Sequence, residues 1–153
     1  MHDPQYNPAS EDKMPDTTSL AQDPALYRGV IPYVDFGGQA TAAAEFYAKA
    51  FGAAEVGRVP GDKPGRLMHC QLAINGGSMM MTDHDEEART QPTKGQHLQL
   101  VVEDGDLWWN RAVEAGCTVI MPLERMFWGD RWGLLEDPFG IRWGINEGTT
   151  PGA

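Results

Sequence analysis

The chain is expected to fold as an α+β protein of two βαβββ modules that together form a curved mixed sheet with a central cup. Three observations carry that expectation. The order of β-rich and helix-periodic stretches runs once and then starts over. The glycines that end the two predicted helices, Gly52 and Gly116, fall 64 positions apart. Residues 126–143 (MFWGDRWGLLEDPFGIRW) are dense in aromatics and cut by Gly, Asp and Pro, which reads as short strands joined by tight turns. A repeated supersecondary unit that is too small to bury its own sheet must pair with its copy. At 153 residues the chain suits one such domain.

The elements follow in order. Residues 1–27 are polar, acidic and broken by Pro4, Pro8, Pro15 and Pro24. They read as a flexible N-terminal arm, with an arm wrapped on a neighbouring subunit as the other reading. The folded domain spans residues 28–147, module one about 28–94 and module two about 95–147, before a short tail, 148–153. Residues 30–36 (VIPYVDF) alternate as a strand. In the helix that follows, Ala43, Phe46, Tyr47, Ala50 and Phe51 form one apolar face. A strand at 54–59 precedes a GDKPG turn. Residues 66–74 alternate strictly, with Met68, Cys70, Leu72 and Ile74 on one side and His69, Gln71 and Ala73 on the other. Asn75-Gly76 signals a hairpin, 78–82 is the return strand, and 83–94 a charged loop.

Residues 96–103 open the second round as a strand. Asp104 or Asp106 caps a helix whose apolar face holds Trp108, Trp109, Ala112 and Ala115. A strand at 117–121 and two more within and after the aromatic run complete the repeat.

Composition narrows function. The net charge of −10 argues against nucleic acid, which needs clustered Lys and Arg, and leaves room for cationic small molecules. No apolar run is long enough to span a membrane. Cys70 and Cys117 lack motif spacing and read as free thiols of a reducing compartment. With no basic-then-apolar leader pattern, the expected location is cytoplasmic.

Three segments carry a resemblance: IPYVDFGGQATAAAEFYAKAFGA, INGGSMMMTD and RAVEAGCTVIMPLERMFWGDRWGLLEDPFGIRWGI. The chain resembles the vicinal oxygen chelate superfamily of glyoxalase I, bleomycin-resistance proteins and extradiol dioxygenases. Within it, these segments look like the PhnB-like branch, whose members often carry a 3-demethylubiquinone methyltransferase-like label. The resemblance covers roughly residues 28–147. It implies the paired βαβββ fold, a homodimer, and in the enzymes of the superfamily a divalent ion held by four His, Gln or Glu side chains. Carried onto this sequence, those four positions fall at or near Ile31, Met80, His97 and Gly144. Of these, His97 alone suits Ni, Zn, Fe or Mn. No metal site and no cofactor are therefore expected, and the methyltransferase label finds no nucleotide-binding glycine loop in support.

Strand parity assigns Tyr33, His69, Gln71, Met80, His97, Gln99 and Arg142 to the cup, together with Ile31, Thr82 and Gly144. Trp128 stands at the rim. Amides, imidazoles, an aromatic and a thioether suit an orientable organic ligand. His97 is the best catalytic candidate, with a hydrogen-bonded relic of a lost metal site as the equal alternative. His69 alone reads as a satisfied polar strand residue. Arg142 reads as a contact for an anionic group or as an exposed strand arginine. His84 reads as loop, Met79 to Met81 as packing, and Cys70 as helix-facing rather than nucleophilic. The expected function is metal-free binding of a small molecule. The alternative is a metal-dependent, glyoxalase-type lyase or isomerase with a noncanonical metal site.

Overall fold

The structure, a computed structural model, describes residues 20–90 and 95–148. Most of the predicted arm, the end of the predicted charged loop and nearly all of the tail lie outside the described residues. Module one contains β1 (Tyr33–Asp35), α1 (Ala40–Phe51), β2 (Ala54–Pro60), β3 (Leu67–Ile74) and β4 (Gly77–Thr82). Module two contains β5 (Leu98–Val102), α2 (Gly105–Ala115), β6 (Thr118–Arg125), β7 (Arg131–Glu136) and β8 (Arg142–Glu147). Short 3-10 turns occupy Pro24–Tyr27 and Glu86–Thr90. Among the described residues no helix is long and apolar enough to cross a membrane.

The duplication is visible in the pairing. The sheets are ordered β1-β4-β3-β2 and β5-β8-β7-β6. In each, the first strand runs parallel to the last and the other neighbours are antiparallel. The modules contribute two four-stranded sheets, with β1 and β5 as edges beside the shared cleft, rather than one continuous sheet. The N-termini of the two helices are held the same way. Asp83, just past β4, accepts from the backbone N–H of Gly38 (2.7 Å), Ala40 (3.0 Å) and Leu67 (2.9 Å). Glu147, at the end of β8, accepts from the N–H of Gly105 at 2.6 Å. A carboxylate at that helix end satisfies orphan donors and meets the positive end of the helix dipole.

The core lies between the helices and the convex faces of both sheets. Tyr47, Phe51, Leu72, Met81, Leu135 and Ile145 are all buried there. α1 and α2 pack on each other, and the Arg111 guanidinium ties them by donating to Ala50 O at 3.0 Å while lying over Trp108. The DPFG turn locks the modules together. Asp137 is buried, and its carboxylate accepts from Tyr47 Oη of α1 (2.5 Å), Trp143 Nε1 of β8 (2.9 Å), and the N–H groups of Phe139 (2.9 Å) and Ile141 (3.0 Å). Burial pushes the Asp137 carboxyl above its ordinary value, against the lowering by those four donors.

Two expectations on register need correction. β1 is shorter than residues 30–36: Val30 is exposed, and Pro32 has no N–H to offer, although its carbonyl still accepts from Met80 N. Met68 does not face the core. The β2–β3 register shifts between Val59 and Pro60, which pair with His69 and Leu67. That bulge turns Met68 out to solvent and places Leu67 in the core instead. From Cys70 onward the predicted alternation holds. The Asn75-Gly76 hairpin has positive φ at both residues, 50° and 78°, the geometry such a two-residue turn requires.

Candidate functional site

A cleft of about 420 Å³ opens between β1 and β5, where the two modules meet. Tyr33 and His97 both line it, flanked by Pro32, Asp35 and Ile141. Of the residues assigned to the cup from parity, these two reach the cleft directly. Two polar pairings stand behind them on the concave faces.

In module one, Tyr33 Oη and His69 Nδ1 lie 2.7 Å apart with rings tilted at 55°. The pair stands on either side of β4, whose Met80 is opposite both Tyr33 and Gln71 in register. In module two, the Trp132 indole N–H donates to Gln99 Oε1 at 3.0 Å, and His97 Nε2 lies 3.1 Å from the same oxygen. This group closes over Gly144, which is opposite both Gln99 and Leu134. The space above Gly144 is filled. A Cβ there would stand 2.7 Å from Gln99 Oε1, 2.9 Å from Trp132 Nε1 and 3.1 Å from His97 Cδ2. Only a residue without a side chain lets these three groups meet.

The remaining assigned residues are placed differently. Gln71 is buried, and its amide donates to Leu26 O (3.1 Å) and Ser78 Oγ (2.9 Å). Leu26, within the predicted arm, is itself buried, so the turn at Pro24–Tyr27 straps the concave face of the first sheet. Arg142 pairs with Glu136 at 3.2 Å across β7 and β8, rather than standing as an isolated cation. Trp128 is half exposed at the β6–β7 turn, edge-on to an exposed Phe127 at 5.0 Å. His84 is exposed in its loop, its backbone N–H bonded to Asp35. Cys70 and Cys117 are buried thiols, both pushed up to about 12 chiefly by burial, which makes them poor nucleophiles.

Sequence reasoning missed Trp132. The signal was present in β7. Gly133 faces α2, because a Cβ there would meet Trp109 Cζ3 at 2.5 Å. Alternation from Gly133 puts Trp132 and Leu134 on the concave side.

At the four positions where the resemblance would put metal ligands, His97 is the one side chain whose chemistry suits a divalent ion of that kind. Isoleucine and glycine offer no ligand atom, and the Met80 thioether is a soft donor unsuited to the ions such N and O sites hold. The space a ligating side chain at position 144 would need is occupied by the indole, amide and imidazole. Among the described residues, no three His, Cys, Asp or Glu side chains gather as a metal site requires.

Comparison with known proteins agrees with this architecture. The family model described as Glyoxalase/Bleomycin resistance protein/Dioxygenase superfamily matches residues 32–145. The uncharacterized protein Rv0887c of Mycobacterium tuberculosis is 39% identical over 140 residues, 86% of this chain and 79% of that protein. A PhnB protein from Bacillus cereus, described as a putative 3-demethylubiquinone-9 3-methyltransferase, superposes with a TM-score of 0.62 at 18% identity, covering 79% of this chain and 100% of its own. TnmS3, an antibiotic binding protein from a Streptomyces species, superposes with a TM-score of 0.58 at 22% identity, covering 80% of this chain and 98% of its own. The two structures share the fold. The chain belongs to the glyoxalase/bleomycin resistance protein/dioxygenase superfamily.

Proposed function

We propose that this protein is a PhnB-like, metal-free small-molecule binding protein that takes its ligand in the cleft between the two modules. The observation that carries the reading is Gly144. Where the metal-dependent members place a ligand, this chain has a glycine roofed by Trp132, Gln99 and His97. The cleft is of ligand size and mixes apolar walls with Tyr33 and His97, a lining that orients an organic guest. The net charge of −10 favours cationic guests. The likeness of the fold to an antibiotic binding protein is consistent with sequestration of a drug or metabolite rather than turnover.

The protein acts in the cytoplasm as a homodimer on this reading. The exposed Val119, Ile120 and Met121 on edge strand β6 supply apolar surface for a second copy.

The test is a thermal-shift screen of cationic and neutral aromatic compounds, with hits measured by calorimetry. A ligand at a hundred times its Kd stabilises by about 2.7 kcal/mol. Hits should bind the wild type and lose affinity in Tyr33→Ala and His97→Ala. Unchanged affinity in both variants would remove the cleft as the site. The Trp128→Ala variant reports separately whether the β6–β7 turn closes the rim.

A further inference from the structure

The hydrogen bonds behind the cleft determine which nitrogen of His97 carries its proton. An indole N–H can only donate. The Gln99 atom 3.0 Å from Trp132 Nε1 is therefore the amide oxygen, and the orientation of that side chain is settled by Trp132. His97 Nε2 stands 3.1 Å from this same oxygen, which has no hydrogen to give. The imidazole must donate through Nε2–H to share it. In the neutral ring Nδ1 then keeps a bare lone pair. The Cδ2 and Nε2 edge of the ring faces Gly144 and Gln99, so the Nδ1 and Cε1 edge faces away from them. His97 is exposed and lines the cleft, and among the described residues Nδ1 has no hydrogen-bond partner.

We infer that Trp132 and Gln99 are positioning residues that hold His97 as its Nε2–H tautomer, so that the cleft presents the Nδ1 lone pair and selects ligands carrying an N–H or O–H donor. Gly144 is part of the device, since any side chain there would part the three groups. The ligand half of this inference rests on the proposed function; the tautomer half does not.

Two measurements test it. The first is nitrogen NMR of histidine-labelled protein without ligand, at mildly alkaline pH. His97 should show a fully protonated Nε2 and a fully bare Nδ1. In Gln99→Leu and in Trp132→Phe the two resonances should move toward each other as the second tautomer becomes populated. A protonated Nδ1 in the wild type, or wild-type resonances in both variants, would overturn the positioning role. The second uses two probes of equal charge on the same benzyl frame, benzylammonium and the bulkier benzyltrimethylammonium, of which only the first has N–H donors; the His97→Phe variant separates donor from size effects. Benzylammonium should bind the wild type about tenfold more tightly, and the preference should vanish in His97→Phe. Equal binding, no binding of either probe, or a preference that survives in His97→Phe would overturn the donor selectivity. Failure of the wider compound screen is the separate result that would remove the binding function itself.

Discussion

In module one a hydrogen bond between Tyr33 and His69 spans β4 beside Met80; in module two the bond from Trp132 to Gln99 spans β8 above Gly144. The positions are counterparts, because each first strand pairs with its last strand in the same register. They differ first in side-chain volume. Met80 fills its own place with a thioether, whereas Gly144 leaves a space that an amide, an indole and an imidazole occupy. The first concave face is also covered by the chain itself, with Leu26 strapped down by Gln71. Duplication thus supplies two counterpart positions, and local side-chain volume decides what fills each. The second keeps an exposed imidazole facing the cleft.

The comparison assumes that the modules are locked together, and the largest expected effect comes from breaking that lock. Asp137→Ala leaves Tyr47 Oη, Trp143 Nε1 and two backbone N–H groups without their acceptor in the core. Chemical denaturation should show a loss of about 3–5 kcal/mol. The same variant checks the proton linkage. Because the folded pKa of Asp137 is raised, the native state binds the proton more tightly than the unfolded chain. This contribution to stability is full below the ordinary carboxylate value and is lost as pH rises through the raised one. The stability difference between wild type and Asp137→Ala should shrink across that window as pH rises. A difference that grows would have the wrong sign.

Removing the strap comes next. Leu26→Ala should cost about 2 kcal/mol, at the low end for a buried leucine because the segment can lift away from the sheet. Amide hydrogen exchange should rise along β4, which the strap covers, and stay unchanged in module two. A matching rise in β8 would show that the two modules are not independent.

A smaller effect separates the counterpart positions directly. Gly144→Ala forces its Cβ against Gln99, Trp132 and His97 and should cost about 1–3 kcal/mol. Met80→Leu, a volume-conserving change, should cost less than about 1.5 kcal/mol. Equal losses would erase the asymmetry. The smallest effect is Tyr33→Phe, which removes an exposed hydrogen bond and should change stability by about 0.5–1 kcal/mol or less.

The fold was legible because period and punctuation agreed. The face of α1 read from Ala43 to Phe51 is the buried face, Asp104 caps α2 through Leu107 N, and Asn75-Gly76 turns as its residues require. What alternation could not show was a change in count. The bulge at Met68 inverts parity for the residues before it, and no residue there announces it. The cup was legible in part. Tyr33 and His97 line the cleft, but the partners of the assigned residues come from distant strands. Trp132 lies 33 positions from Gln99, and Leu26 lies 45 from Gln71. Nor does a polar arm sequence reveal that one leucine within it will be buried. The DPFG run, so prominent as a signature, owes its aspartate to a structural duty: it satisfies α1 and β8 at once.

The most direct test of the central claim is elemental analysis of the protein purified without chelator, followed by melting with added chelator and with added Ni, Zn, Mn or Fe. A cup closed by Trp132, Gln99 and His97 over Gly144 predicts metal well below one ion per chain and a melting temperature that none of these additions moves. One tightly held ion per chain, with a melting temperature that falls when it is stripped and recovers when it is restored, would contradict the account.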